Sequence, residues 1–340
     1  MGNSELSMVA AENVVSQMDF DLSSQAAGVL DELGRTEDIR FSPDNSYFAI
    51  VGFLKNRFTL FALDIDKSVA VPKIRVTKAL EVASSHLKYP HGIDFLDSRT
   101  MAVANRRGSV SIFRIPENFA QLEIGSVLNV SPIREIRRAN FRRRLRMPGS
   151  VCVVESNGRR TEMLVCDNHK SFVSRHVIDL DHRFLWPRNQ MLLKAGLHVP
   201  DGIALSSDKR WIAVSNHATH QIFIYDRNRQ LDFQSVPDGM CEGVLYPHGL
   251  RFAPDGRALY VADAGQPYVH RFVASGGDWA GNRISDAKAR VMDDVTFQNG
   301  RSSPQEGGPK GLDVTADGRL LVVTSEHQPF GLFHLSEMFS

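Results

Sequence analysis

His248 and Asp263 are the two residues whose types and placement most directly suggest chemistry. His248 stands in Tyr246-Pro247-His248-Gly249, just ahead of the apolar run Leu250–Ala253. Asp263 closes a second apolar run, Ala258–Ala262. Between the runs lies Pro254-Asp255-Gly256. Pro presets φ and Gly accepts a positive φ, so this triplet reads as a tight reversal. The two runs then form an antiparallel hairpin, in which the start of one strand lies beside the end of its partner. Imidazole and carboxylate are therefore expected as neighbours. Such a pair can move a proton, and the same groups can ligate a metal.

The elements that would position this pair recur along the chain. A first copy runs from Thr36-Glu37-Asp38-Ile39 through a turn at Ser42–Asn45 to Tyr47–Val51. A second begins at Pro90-His91-Gly92-Ile93 and ends at Asn105; a weaker third begins at Pro148-Gly149 and ends at Asp167. The fourth is Pro200-Asp201-Gly202-Ile203 to Asn216, the fifth is the hairpin of His248, and the sixth is Pro309-Lys310-Gly311-Leu312 to Ser325. The copies start roughly 47 to 62 residues apart, near the spacing of a four-stranded propeller blade. Each supplies three readable strands, such as Gln221–Tyr225 and Tyr268–Val273, and the intervals Lys73–Val82 and Arg290–Phe297 leave room for a fourth. The predicted fold is all-β, a six-bladed β-propeller over residues 36–340. Residues 1–35 form an N-terminal segment whose Val14–Leu22 supplies the strand that closes the ring beside Gly331–Leu335. A seven-bladed ring is the alternative. Two unrelated domains would leave the shared His/Asp-Gly pattern unexplained.

In such a ring the residue before each first strand and the residue after each second strand converge around the axis at one end. The first position reads Glu37, His91, Gly149, Asp201, His248, Lys310; the second reads Gly52, Asn105, Asp167, Asn216, Asp263, Ser325. His169, His217 and His327 follow closely on second positions, so several of the twelve histidines gather at one rim. The plain alternative is that these are loop residues hydrogen-bonded to backbone.

Three mechanisms fit. A metal site would use Glu37, Asp201 and His248, with Asp263 or His91 as a further ligand, and its mixed carboxylate and imidazole donors suit zinc or a transition metal better than calcium. Metal-free acid–base catalysis would use His248 with Asp263, with His91 or Asp201 as further catalytic groups. Simple ligand binding would use Asn105, Asn216, Asp167, His217, His169, Lys310 and His327 as hydrogen-bonding rim.

Bulk properties bound these readings. Hydrophobic content of 42%, charged content of 23% and a net charge of +1 describe a water-soluble globular chain rather than a general polyanion binder. No apolar run reaches membrane-span length, and the N-terminus lacks the pattern of a secretion signal. Cys152, Cys166 and Cys241 form no CxxC pair and read as reduced, buried thiols in a cytoplasmic protein. Seven arginines between Arg134 and Arg146 mark either a solvated surface or a seat for an anionic partner.

The segments Pro200-Asp201-Gly202-Ile203, Pro247-His248-Gly249-Leu250 and Ala253–Asp263 resemble the senescence-marker-protein/gluconolactonase/paraoxonase group of six-bladed propellers and their NHL-like repeats. The resemblance covers roughly residues 36–335. It implies a lactonase or esterase using calcium or another divalent metal at the first ring position. The group's first-blade Glu matches Glu37. Its next ligands, Asn, Asn and Asp, fall on Gly149, Asp201 and His248, so one ligand is absent and two are changed. Ala104-Asn105 followed by Val110–Arg114 is also similar to seven-bladed lactonases of the 6-phosphogluconolactonase type. The reading that follows is a hydrolase acting on a small lactone or ester at the channel rim. The alternatives are a non-catalytic ligand- or protein-binding propeller and a lyase or isomerase working through His248 and Asp263.

Overall fold

A computed structural model describes residues 13–66, 72–116, 127–181 and 188–339. Six mainly antiparallel sheets stand around one axis as a six-bladed β-propeller. The innermost strands are Thr36–Phe41, Pro90–Asp97, Pro148–Ser156, Pro200–Leu205, Pro247–Phe252 and Leu312–Val314. Each packs on the next, and the last returns to the first. The second strands are Tyr47–Gly52, Thr100–Asn105, Arg160–Asp167, Trp211–Asn216, Ala258–Asp263 and Leu320–Val323. Among the described residues no helix is long and apolar enough to cross a membrane.

Every blade is sandwiched between two others, which explains the near-continuous apolar runs of the strands. The core is accordingly divided into six clusters, one at each contact between neighbouring blades. Phe58, Leu60 and Met101 belong to the contact of blades one and two, and Trp211, Leu250 and Trp279 to that of blades four and five. The three cysteines are buried and free. The far-end hairpins hold their carboxylates for local structure: Asp208, Asp255 and Asp317 each accept a backbone N–H two residues on.

A local irregularity aims the rim residues. Five inner strands carry one extra residue at their start, between Thr36 and Ile39, Pro90 and Ile93, Pro148 and Ser150, Pro200 and Ile203, and Pro247 and Leu250. Such a bulge turns a side chain out of the pleat, here at the first ring position. The glycine that follows permits close approach of the next blade. A Cβ at Gly202 would lie 2.0 Å from the His248 carbonyl oxygen, and one at Gly92 would lie 2.6 Å from the Gly149 carbonyl oxygen.

Two sequence expectations shift. Arg290–Phe297 is not an outer strand: that role in blade five falls to Ala287–Arg290, and Asp294–Gly300 is helical. Asp293 caps this helix through the Thr296 N–H at 2.8 Å. Val14–Leu22 does not add a ladder to the last blade, which keeps three strands. It runs as a strap instead. The Val15 N–H donates to Arg290 O (2.8 Å) and the Met18 N–H to Leu332 O (2.8 Å). Phe20–Leu22 then pairs in parallel with Lys73–Ala83, the outer strand of blade one. The last and first blades are thus joined non-covalently, by a crossing chain rather than by a completed sheet.

Candidate metal centre at the channel mouth

Glu37, His91, Asp201, His248 and Lys310 are all buried and meet at the axis. Glu37 Oε2 lies 3.4 Å from His91 Nε2, 3.9 Å from His248 Nε2 and 3.3 Å from Lys310 Nζ. Asp201 Oδ2 lies 3.3 Å from His248 Nε2. The imidazoles are oriented from behind. His91 Nδ1–H donates to the Gly149 carbonyl at 2.7 Å, and His248 Nδ1–H to the Lys310 carbonyl at 3.2 Å. A carbonyl can only accept, so Nδ1 carries the proton and each Nε2 is unprotonated; that of His248 faces Asp201 and Glu37, while that of His91 lies near Glu37 and accepts from Arg106. Glu37 Oε1 is taken by Arg35 Nε at 2.6 Å, while Oε2 is buried and accepts no hydrogen bond.

One donor atom each from Glu37, His91 and His248 falls within 4.8 Å of the other two. A small cavity of about 10 Å³ borders them, room for one water or ion. Two neutral imidazoles and a carboxylate form a donor set suited to zinc or a divalent transition metal. The set expected from sequence had Asp201 as a main ligand and His91 only as an additional one; the cluster reverses those two. Asp201 is instead a neighbour of the cluster, held by Asn168 Nδ2 at 2.6 Å and by Arg106 Nη2 at 3.7 Å.

Burial, and then the nearby Arg106, push His91 down to about 4. Burial pushes His248 down to about 3 against the pull of Asp201. Both rings are therefore neutral near pH 7. Burial alone would raise Glu37, but Lys310, His91 and Arg35 outweigh it and hold the carboxylate well below its usual range. Asp201 is likewise pushed well below its usual range against its burial, by His248 and His91 at the acid pH where these rings are protonated and by Arg106 throughout.

The second ring positions do a different job. Asn105 Oδ1 accepts the Lys88 N–H at 2.9 Å, and Asn216 Oδ1 the His198 N–H at 2.5 Å. Asp167 accepts from Arg146 N (2.6 Å), and Asp263 from Leu245 N (2.8 Å) and Tyr246 N (3.0 Å). These groups face the backbone that leads into each inner strand, not the axis. Asp263 is a ladder neighbour of Pro247, yet its carboxylate does not pair with the His248 imidazole as the hairpin argument anticipated. The partner carboxylates of His248 are Asp201 and Glu37.

In four blades the residue just after the second ring position reaches the mouth instead. Arg106 Nη2 donates to His91 Nε2 at 2.6 Å. His217 Nδ1–H donates to Pro247 O at 3.1 Å, with its ring 6.1 Å from that of His248. Glu326 binds Lys310 at 2.7 Å. Asn168 fills the slot that Gly149 leaves: a Cβ at Gly149 would lie 1.9 Å from Asn168 Oδ1. Sequence reasoning found His217 and Lys310 here but passed over Arg106, Asn168 and Glu326. The signal was available, since each directly follows a second-position residue. His169 and His327 are exposed and take no part in the cluster.

No model of a known protein family matches the chain, and no curated protein is similar to it in sequence. Solved structures do match in fold. One is the crystal structure of a functionally unknown protein from Desulfotomaculum acetoxidans DSM 771. It aligns with a TM-score of 0.53 at 13% identity, over 90% of this chain and 84% of that one. At this identity the likeness supports the propeller fold alone.

Proposed function

We propose that the chain is a propeller hydrolase acting on a small lactone or ester at the channel mouth, with a divalent transition metal held by Glu37, His91 and His248. The observation that carries this reading is the gathering of two unprotonated Nε2 atoms, one of them shared with Arg106, around a buried carboxylate oxygen without a hydrogen bond, each imidazole fixed through Nδ1 to a carbonyl. Outer contacts of this kind orient histidine ligands in metal sites. Donor separations of 3.4 and 3.9 Å around Glu37 Oε2 suit atoms that share one ion. A bound ion would supply Lewis-acid polarisation of a carbonyl.

The remaining roles fall to the chain's own residues. Lys310 and Arg35 keep Glu37 anionic. Asn168 orients Asp201, whose carboxylate stands beside His248 to position a water or a substrate hydroxyl. Histidines pushed down to about 3 and 4 are poor proton donors near neutrality, which favours a ligand role over acid–base catalysis.

Metal analysis of the purified protein, with a panel of lactones and esters, tests the proposal. A stoichiometric divalent ion is expected. Glu37→Gln and His248→Ala should each abolish its retention and reduce turnover by more than the roughly 10–100-fold typical of outer-shell substitutions. A metal-free protein whose activity survives chelation would sink it. A second reading, a metal-free binding site, is favoured by one contact: the Arg106 guanidinium donates to His91 Nε2 and so fills one donor. On that reading Arg106→Ala gains no metal and loses ligand.

A further inference from the structure

A cavity of about 530 Å³ opens beside the channel mouth, between the loop after the second strand of blade two and the arginine-rich segment. Lys88, Arg106, Arg107, Arg137, Arg144 and Arg146 line it against one carboxylate, Glu135. Glu135 is already engaged, by Arg137 at 2.6 Å and His86 at 3.2 Å. Among the described residues no carboxylate pairs with Lys88, Arg107, Arg144 or Arg146. Arg107 lies over the Tyr89 ring at 4.8 Å.

The wall is built rather than loose. Leu145 is buried in the contact of blades two and three. The Leu145 N–H donates to Arg137 O (3.0 Å) and the Ala139 N–H to Arg143 O (2.9 Å), which folds the segment back on itself. Arg146 and Met147 are tied through their N–H groups to Asp167. The backbone that carries Arg144 and Arg146 is therefore held at the cavity wall, while the tip around Phe141, 85% exposed, points to solvent. Cations gathered without acidic partners repel one another, and a bound anion relieves that cost.

We propose that this cavity seats a compact oxyanion group, phosphate or carboxylate, of a small molecule. Guanidinium forks match such groups bidentately, and the volume is that of a small-molecule site. Arg106 belongs to both places: it lines the cavity and its Nη2 touches His91 Nε2. A molecule anchored here by its charged end presents its other end to Glu37, His91 and His248. That last link rests on the metal-centre reading; the anion seat does not.

Calorimetric titration of the full chain with inorganic phosphate, pyrophosphate and citrate at low ionic strength tests the seat, and the preferred anion separates phosphate from carboxylate chemistry. Saturable binding is expected. Arg144→Glu and Arg146→Glu, both at exposed positions, should weaken it about tenfold or more each. Glu37→Gln or chelation should leave it intact, so a failed metal centre and a failed anion seat give different results. The proposal is overturned if none of these anions binds saturably, if binding survives both charge reversals, or if a long single-stranded oligonucleotide binds far more tightly than its mononucleotide. The last result would mark an extended nucleic-acid surface instead.

Discussion

A second set of charges lies below the mouth, toward the opposite end of the channel. Arg40 Nη1 contacts Asp38 at 2.5 Å, and Arg251 bridges Asp313 at 2.8 Å and Asp94 at 3.5 Å. Three carboxylates thus face two guanidinium groups. Burial pushes Asp94 up to about 7 and Asp313 up to about 6 despite Arg40. A carboxyl raised in the fold binds its proton more tightly there than in the unfolded chain. Its contribution to stability is full below the ordinary carboxylate range and is lost as pH rises through about 6 to 7. Asp94→Asn keeps an acceptor for the Val153 N–H, which lies 2.6 Å from Asp94 Oδ2. The variant should melt higher than the parent at about pH 8, by at most about 4 kcal/mol in stability; the difference should shrink to roughly 1.5 kcal/mol near pH 5 and vanish only below about pH 4. Thermal scans across that range check it; a difference independent of pH would refute it. At this scale the sequence was partly legible. His91, His248 and Glu37 stood out because an ionisable residue recurs at one repeat position. Asn168 did not, because it fills from a neighbouring loop a slot that reads as an empty glycine.

The strand starts are where local conformation is strained. Tyr89 and Val199, each preceding the proline of an inner strand, have φ of 54° and 55°. A β-branched residue seldom adopts that region. Asn105 and Asn216 hold these turns through the N–H groups of Lys88 and His198, and Asn216 Nδ2 also donates to Gly196 O at 3.0 Å. The second ring positions thus set the entry angle of the bulges that carry His91 and Asp201. Asn216→Ala removes both contacts of a buried amide and should cost roughly 1–3 kcal/mol. Because Val199 would relax, Asp201 should move as well. Urea unfolding measures the first effect and an altered affinity of the mouth the second; unchanged values for both would show that the amide is dispensable. The strands and their hairpin turns were readable from alternating runs and Pro/Gly punctuation. The inward or backward aim of a polar side chain at a strand end was not, because one bulged residue reverses it.

For the whole molecule, the ring was legible from the repeat and its closure was only half so. Apolar character in Val14–Leu22 announced a strand but could not say which sheet it would join. The strap packs Met18, Phe20 and Leu22 against the contact of the last and first blades, with the Phe20 ring centred 5.0 Å from that of Phe330 and tilted 30° to it. Removing residues 1–22 should lower stability by roughly 2–5 kcal/mol, read as a fall in Tm; an unchanged Tm would show that the inner strands close the ring unaided. The same crossing has a temporal meaning. During synthesis the N-terminal blades emerge first, yet Val15 and Met18 must wait for Arg290 and Leu332, which are made much later. Until then an apolar ribbon and two open blade faces are exposed together. Completion of the C-terminal blade is therefore the event that commits the nascent chain to its ring, and the interval before it is when chaperones would be needed most.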